Sequence, residues 1–267
     1  MNAPSHETWR RRVQRAADLC AVDAPSRALI VFYAALLRGQ ENLYDYLNTR
    51  SDWQPSGALH RDSAGFRPQV ASVLHAVTNA GPEPLAIEAR RLLDADEREI
   101  DEMLLQFWRA PSDRQFFAKA ILQPYAQWLA EHGIAPVGRG RPSVDNRCPF
   151  CGGSPQLSVL RGAGDPALEG GARALQCATC LTMWPFRRAL CPQCGEENER
   201  QLGYFSTPAF DHLRLETCDT CKHYLKCVDL TRLGVAVPLV DEVASATLDA
   251  WATENGYTKI ELNLVGL

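Results

Sequence analysis

The 267-residue chain has no apolar run approaching the roughly 20 residues that cross a bilayer. Its start, Met1 to Arg15, carries arginines but no apolar stretch behind them, so it does not read as a secretory signal. There is no surplus of positive charge. The 28 Lys and Arg against 32 Asp and Glu leave a net charge of -4 and a pI near 5.9. That balance argues against nucleic acid or an anionic membrane as the default partner. The signature of disorder is also missing: 46% of residues are hydrophobic and 22% charged, as in chains that bury a core. The length suits one large or two medium domains. Paired carboxylates, a nucleophile beside a base and an open metal site are all lacking. His60, His75 and His132 do not have metal-ligand spacing. The expectation is a non-enzyme of the cytoplasm, where thiols stay reduced and evenly spaced cysteines act as ligands more often than as disulfides.

Cysteine is nearly absent from residues 1 to 140, where only Cys20 occurs, read as a small buried apolar residue. This part has helical periodicity. Glu7 to Val22 is amphipathic, with Trp9, Val13, Ala16, Ala17 and Leu19 available for one face. Pro25 suits a helix first turn, and Leu29 to Leu47 recurs at helical spacing after it. Pro68 to Thr78 is a third stretch, and Glu83 to Arg109 holds one or two more. Ser112 with Gln115 resembles a capping box opening a last helix, closed by His132 and Gly133. The aromatic residues of these stretches are read as core. Gly133 to Asn146, with three glycines and two prolines, reads as a linker.

The other nine cysteines lie between Cys148 and Cys227, and eight of them form four Cys-x-x-Cys motifs. These are Cys148-Pro-Phe-Cys151-Gly, Cys177-Ala-Thr-Cys180, Cys191-Pro-Gln-Cys194-Gly and Cys218-Asp-Thr-Cys221. Such a turn sets two thiolates on one side of a tight loop, and Gly152 or Gly195 lets the chain reverse. A tetrahedral site needs four ligands, so knuckles pair. The Cys-Pro-x-Cys-Gly form recurs after 43 residues and the plainer form after 41, which is an internal repeat. The repeat favours sequential pairing: Cys148, Cys151, Cys177 and Cys180 for one site, then Cys191, Cys194, Cys218 and Cys221 for the other. The alternative interleaves the first motif with the third. Four thiolates suit zinc, a single iron or an iron–sulfur cluster. A thioredoxin-type dithiol wants one such motif, not four. Units this small lack a sufficient core, and a metal replaces it.

Around the knuckles the period changes. Gln156 to Leu160, Gln201 to Phe205 and Lys222 to Leu230 read as strands, and Leu181 to Arg188 as a strand with a packed Trp184 and a solvated Arg187-Arg188 pair. Val240 to Gly256 returns to helical spacing, with Val243, Ala246, Thr247, Ala250 and Trp251 on one side. Cys227 lies outside the ligand set, either as core or as a spare reactive thiol.

The run Leu175-Gln-Cys177-Ala-Thr-Cys180-Leu-Thr-Met-Trp184-Pro-Phe-Arg187-Arg188-Ala-Leu-Cys191-Pro-Gln-Cys194 resembles the formate dehydrogenase accessory protein FdhE family. So do Glu216-Thr-Cys218-Asp-Thr-Cys221-Lys222-His-Tyr224-Leu-Lys226 and the tail from Val240 to Ala250, ending in Gly256-Tyr257 and Asn263-Leu264. Leu36 to Leu47, with Gly39-Gln40, is similar to the family's helical domain. The resemblance implies an α+β multidomain protein. An all-α domain (1–135) and a linker (136–147) would precede two tandem rubredoxin-like or zinc-ribbon β-units (148–188 and 189–232), with a C-terminal helix and tail (233–267). It further implies a cytoplasmic maturation factor that associates with a formate dehydrogenase catalytic subunit. The eight motif cysteines would hold two metal ions, iron being the usual one and zinc the alternative. No nucleic acid and no membrane insertion are expected. A rubredoxin-like electron carrier is the competing reading, and a zinc-ribbon nucleic-acid binder a third. The glycine-rich loop from Gly162 to Ala172 departs from the family pattern.

Overall fold

The computed structural model describes residues 5–22, 24–139, 145–162 and 173–267. Residues 140–144 of the expected linker and 163–172 of the glycine-rich loop lie outside the described residues. The chain divides into a helical unit, most of residues 1–140, and a sheet unit, most of residues 141–267.

Among the described residues seven α-helices build the first unit: α1 Ser5–Cys20, α2 Arg27–Thr49, α3 Leu59–Phe66, α4 Val70–Ala80, α5 Glu83–Leu93, α6 Glu97–Arg109 and α7 Phe116–Glu131. Two helices, not one, occupy 83–109. The break falls where Asp96 caps α6 by accepting from the Glu99 amide at 2.8 Å. The capping box expected at Ser112 does not form. Gln115 takes the N-cap position of α7 without a side-chain bond, and the Ser112 hydroxyl accepts from the Arg114 amide instead. Helix α3 went unread because eight residues with two charges and a glycine carry almost no periodicity. The aromatic residues do form core: Phe66 and Trp108 both pack at a tilt against Tyr125, at 5.0 and 5.6 Å between ring centroids. Cys20 is half-buried, not buried.

Helix α7 is buried on all sides from Phe117 to Leu129, which makes it the axis of this unit. It contains Pro124, which has no N–H for the carbonyl four residues back. That carbonyl belongs to Ala120, and the Gln40 amide nitrogen on α2 donates to it at 2.8 Å. A buried glutamine on one helix thus repairs a proline defect in another.

Among the described residues the second unit is one sheet with two helices on it. Its strands are β1 Pro155–Leu160, β2 Arg173–Cys177, β3 Met183–Pro185, β4 Leu202–Thr207, β5 Phe210–Cys218, β6 His223–Asp229 and β7 Thr258–Lys259. Their order is β3-β2-β1-β6-β5-β4, with β7 also on β6. The expected tandem units are present, but they share this sheet, because β1 pairs parallel with β6 from Leu157–Lys226 to Leu160–Asp229. Strands β2 and β5 were not read from the sequence. Both begin or carry charge at buried positions, Arg173 and Glu216, which hides their apolar pattern.

Helices α8 Pro238–Ala244 and α9 Ala246–Glu254 replace the single helix expected over 240–256. The chain breaks at Ser245, whose hydroxyl donates to the Glu242 carbonyl at 2.9 Å. The break shifts the phase of α9. Leu248, Asp249 and Ala252 face inward, while Thr247 and Ala250 are exposed, so the face expected from continuous periodicity is wrong there. Leu248 and Ala252 pack with Leu213, Leu215, Tyr224 and Val228 of the sheet.

Candidate metal centres

The two sulfur clusters grow out of four similar turns. The residue after each second cysteine is left-handed: Gly152 (φ 72°), Leu181 (59°), Gly195 (77°) and Lys222 (56°). Glycine adopts this region freely, whereas Leu181 and Lys222 adopt it against their Cβ. The turns close on backbone bonds at matching offsets. Gly152 N–H donates to the Cys148 carbonyl at 2.9 Å, Gly195 N–H to Cys191 at 3.0 Å and Lys222 N–H to Cys218 at 2.8 Å. The amides of Cys148, Cys177 and Cys191 each donate to the carbonyl five residues on. The Gln193 amide also points at the Cys191 sulfur, 3.4 Å away.

The turns meet in sequential pairs, not interleaved. Within the set Cys148, Cys151, Cys177 and Cys180, and within the set Cys191, Cys194, Cys218 and Cys221, all sulfurs lie within 4.8 Å of one another. Cys151 and Cys177 sulfurs are 3.5 Å apart, and the Cys191–Cys221 and Cys194–Cys218 pairs are each 3.7 Å apart. A disulfide needs about 2.05 Å. A tetrahedron with metal–sulfur bonds of about 2.3 Å has edges of about 3.8 Å. The donor set therefore fits one soft ion per cluster.

In the second cluster burial acts against bare thiolates. Burial pushes the Cys191 thiol up to about 11 and the Cys221 thiol higher still. Burial acts on Cys218 too, but the amides of Cys221 and Thr220 and the neighbouring thiols reverse it and leave Cys218 lowered. Four adjacent thiolates do not coexist without a cation, so loading a metal releases protons. Cys227 stays apart from both clusters. It is fully buried on β6, and burial pushes its thiol up to about 12, as suits a core residue.

The segment joining the two clusters is held from beneath. Arg173, 2% exposed, donates to the carbonyls of Arg187 and Leu190 at 3.0 and 3.1 Å and pairs with Glu216 at 2.5 Å. Trp184 is buried and its indole N–H donates to the Asp145 carbonyl. Arg187 and Arg188 are exposed, and Arg187 pairs with Glu197 at 2.8 Å.

A buried charge cluster behind β6 escaped the sequence reading. Lys226 and Glu242 have no exposed surface, and Asp249 and Lys259 have 3% and 6%. Lys226 contacts Asp249, Lys259 contacts Glu242, and the cross pairs Lys226–Glu242 and Lys259–Asp249 are each 3.5 Å apart. Tyr224 and Asn263 complete it by donating to Asp249 and Glu242 at 2.8 and 2.9 Å. Burial lowers Lys226. Burial raises Glu242, but Lys259 and Lys226 outweigh that and leave it lowered. The available signal was Lys226 itself, a charge in the apolar middle of β6 between Leu225 and Cys227.

A helical unit followed by one sheet that carries two four-cysteine knuckle clusters, backed by two short helices, defines a tandem metal-knuckle protein. Residues 147–188 match the family model described as FdhE, central domain, and residues 190–265 match FdhE, C-terminal domain. A protein FdhE homolog of Aquifex aeolicus is 32% identical over 197 residues, covering 73% of this chain and 68% of that protein. The Pseudomonas aeruginosa homolog is 28% identical over 293 residues, covering 99% and 92%. The chain belongs to the FdhE family. The crystal structure of the FdhE protein from Pseudomonas aeruginosa matches the fold with a TM-score of 0.72 at 24% identity, covering 99% of this chain and 97% of that one.

Proposed function

We propose that this protein is a cytoplasmic accessory factor, not an enzyme, that binds the catalytic subunit of a formate dehydrogenase and is required for its activity. The observation that carries the reading is the pair of four-sulfur clusters on one sheet in a chain of the FdhE family. Eight cysteines, Cys148, Cys151, Cys177, Cys180, Cys191, Cys194, Cys218 and Cys221, would hold two ions, iron or zinc. Four sulfurs close each coordination shell, which leaves no position for a substrate and favours a scaffolding or redox role over catalysis. When bound, each ion cross-links its two knuckles, and an iron ion would add one-electron chemistry. The chain's own residues do the rest. Arg173 fixes the segment between the clusters, and the Lys226–Glu242–Asp249–Lys259 cluster fastens α8 and α9 to the sheet. Among the described residues no helix is long and apolar enough to cross a membrane. The residue boundaries read from the sequence, 1–135, 148–188, 189–232 and 233–267, are proposed as the working parts.

Co-purification of the tagged chain with formate dehydrogenase catalytic subunits tests the reading. The expected result is a stoichiometric complex. Failure to capture any such subunit from a host that makes them refutes it. The electron-carrier reading draws on one observation, the exposure of Cys194 in the second cluster. It predicts visible absorption that bleaches on reduction, and a colourless protein holding only zinc removes it.

A further inference from the structure

We infer that the two sulfur clusters are unequal. The Cys191, Cys194, Cys218 and Cys221 site exchanges its ion with solution, starting at Cys194, whereas the Cys148, Cys151, Cys177 and Cys180 site retains its ion. This deepens the proposed function and rests on it, because it takes both clusters as metal sites.

The difference lies in the surroundings. Cys148 and Cys177 have no exposed surface, and Cys151 and Cys180 have 2% and 1%. The two strands that follow and precede their knuckles, β1 and β2, are buried at every position. In the second cluster Cys194 is exposed and Cys221 half-buried, while Cys191 and Cys218 are buried at 4% and 2%. The strand after its first knuckle, β4, has Tyr204 and Phe205 exposed.

Release from a four-thiolate site is stepwise. A competing ligand takes the place of one thiolate, which must swing away and find a proton or water. A thiolate leaving a buried cluster remains an unpaired charge in apolar surroundings, so release has to wait for local unfolding. Cys194 faces water, and its departure needs no such opening. The ion passes to the chelator and the four thiolates take up protons from solvent.

What holds the second cluster shut lies on the surface as well. The Thr220 hydroxyl, inside the second knuckle, donates to Glu196, just past the first, at 2.6 Å; Thr220 is exposed, Glu196 half-buried, and the bond itself lies in reach of water. Tyr257 and Lys222 both donate to Asp219 in the same knuckle, at 2.8 and 2.6 Å. These bonds compete with water and open singly, so they set the exchange rate of this cluster without engaging the core.

The test uses the full chain loaded anaerobically with zinc alone. Excess EDTA is added, zinc transfer is followed, and samples are quenched with N-ethylmaleimide for peptide mass analysis. The expected result is two phases of one equivalent each, differing at least tenfold in rate. Cys194 is modified first, with Cys191, Cys218 and Cys221 in the same phase, while the other four ligands stay protected. The variant Thr220→Val, which removes only the hydroxyl and keeps the backbone amide that points at Cys218, speeds the fast phase several-fold and leaves the slow phase unchanged. Release of both equivalents at one rate, or early modification of Cys148 or Cys177, overturns the inference. So does a Thr220→Val variant that accelerates both phases equally. Uptake of fewer than two equivalents at the start is a separate failure, because it removes the metal reading on which the inference stands.

Discussion

The bond between Gln40 and the Ala120 carbonyl makes a quantitative claim about the helical unit. Pro124 cannot donate to that carbonyl, and the Gln40 amide does so at 2.8 Å in a fully buried setting. Replacing Gln40 with Leu leaves the carbonyl without this donor. An unsatisfied buried carbonyl costs about 1–3 kcal/mol. Part of that is returned, because the Gln40 side-chain oxygen is itself buried without a hydrogen-bond partner and disappears with the substitution. The net loss expected for Gln40→Leu is therefore about 1–2 kcal/mol. Pro124→Ala restores a backbone N–H at the position the helix requires. In that background the carbonyl has a local donor, and Gln40→Leu should cost only what the longer bond from the Gln40 amide to the Gln123 side-chain oxygen, 3.3 Å, contributes. The double-mutant cycle then gives a coupling of about 1–2 kcal/mol. Urea unfolding followed by far-UV circular dichroism on the four proteins measures it. Costs for Gln40→Leu that agree within about 0.5 kcal/mol in the two backgrounds would refute the argument, since independent sites add to that tolerance.

Lys226→Met should destabilise the sheet unit by about 3–5 kcal/mol, because it leaves Glu242 and Asp249 with Lys259 as their sole buried cation in the cluster; a thermal shift indistinguishable from the parent protein would contradict this. Glu242 and Glu216 are both buried and both lowered, Glu216 because Arg173 and Arg214 outweigh its burial. A lowered folded value contributes stability above the unfolded carboxylate pKa of about 4.3 and loses it as pH falls through the folded value. Stability should therefore decline on acidification below about pH 5, and Glu216→Gln should flatten that decline in denaturant titrations across the range. Replacing Cys177 and Cys180 together with Ser should remove one metal equivalent, unfold the first cluster and abolish capture of the partner subunit. Elemental analysis and pull-down read both effects, and a variant that still binds its partner sinks the scaffold model.

The knuckles were legible because they are local. Cys-x-x-Cys followed by glycine dictates a turn within five residues, and its recurrence after 43 residues marked the two clusters before any fold was known. The long amphipathic helices were legible for the same reason, as were β1, β4 and β6. Breaks and caps were less so. Ser112 looked like a cap and is not one, and Ser245 looked like helix interior and ends a helix. At such points single hydrogen bonds compete at nearly equal energy, and the surroundings choose.

By itself the sequence determined which atoms are available to bind metal, that they come in two sets, and which family the flanking residues resemble. Three things waited on the tertiary structure. The parallel pairing of β1 with β6 joins residues 69 positions apart, Leu157 and Lys226, and no local pattern encodes it. The burial of Lys226 among Glu242, Asp249 and Lys259 arises because strand and helices converge from distant parts of the chain. The inequality of the two clusters is the third. Their motifs are near copies, but only the packing around them sets Cys194 in water and leaves Cys148 without a solvent-exposed surface. Coordination is a property of a few neighbouring residues, whereas access to it is a property of everything packed around them.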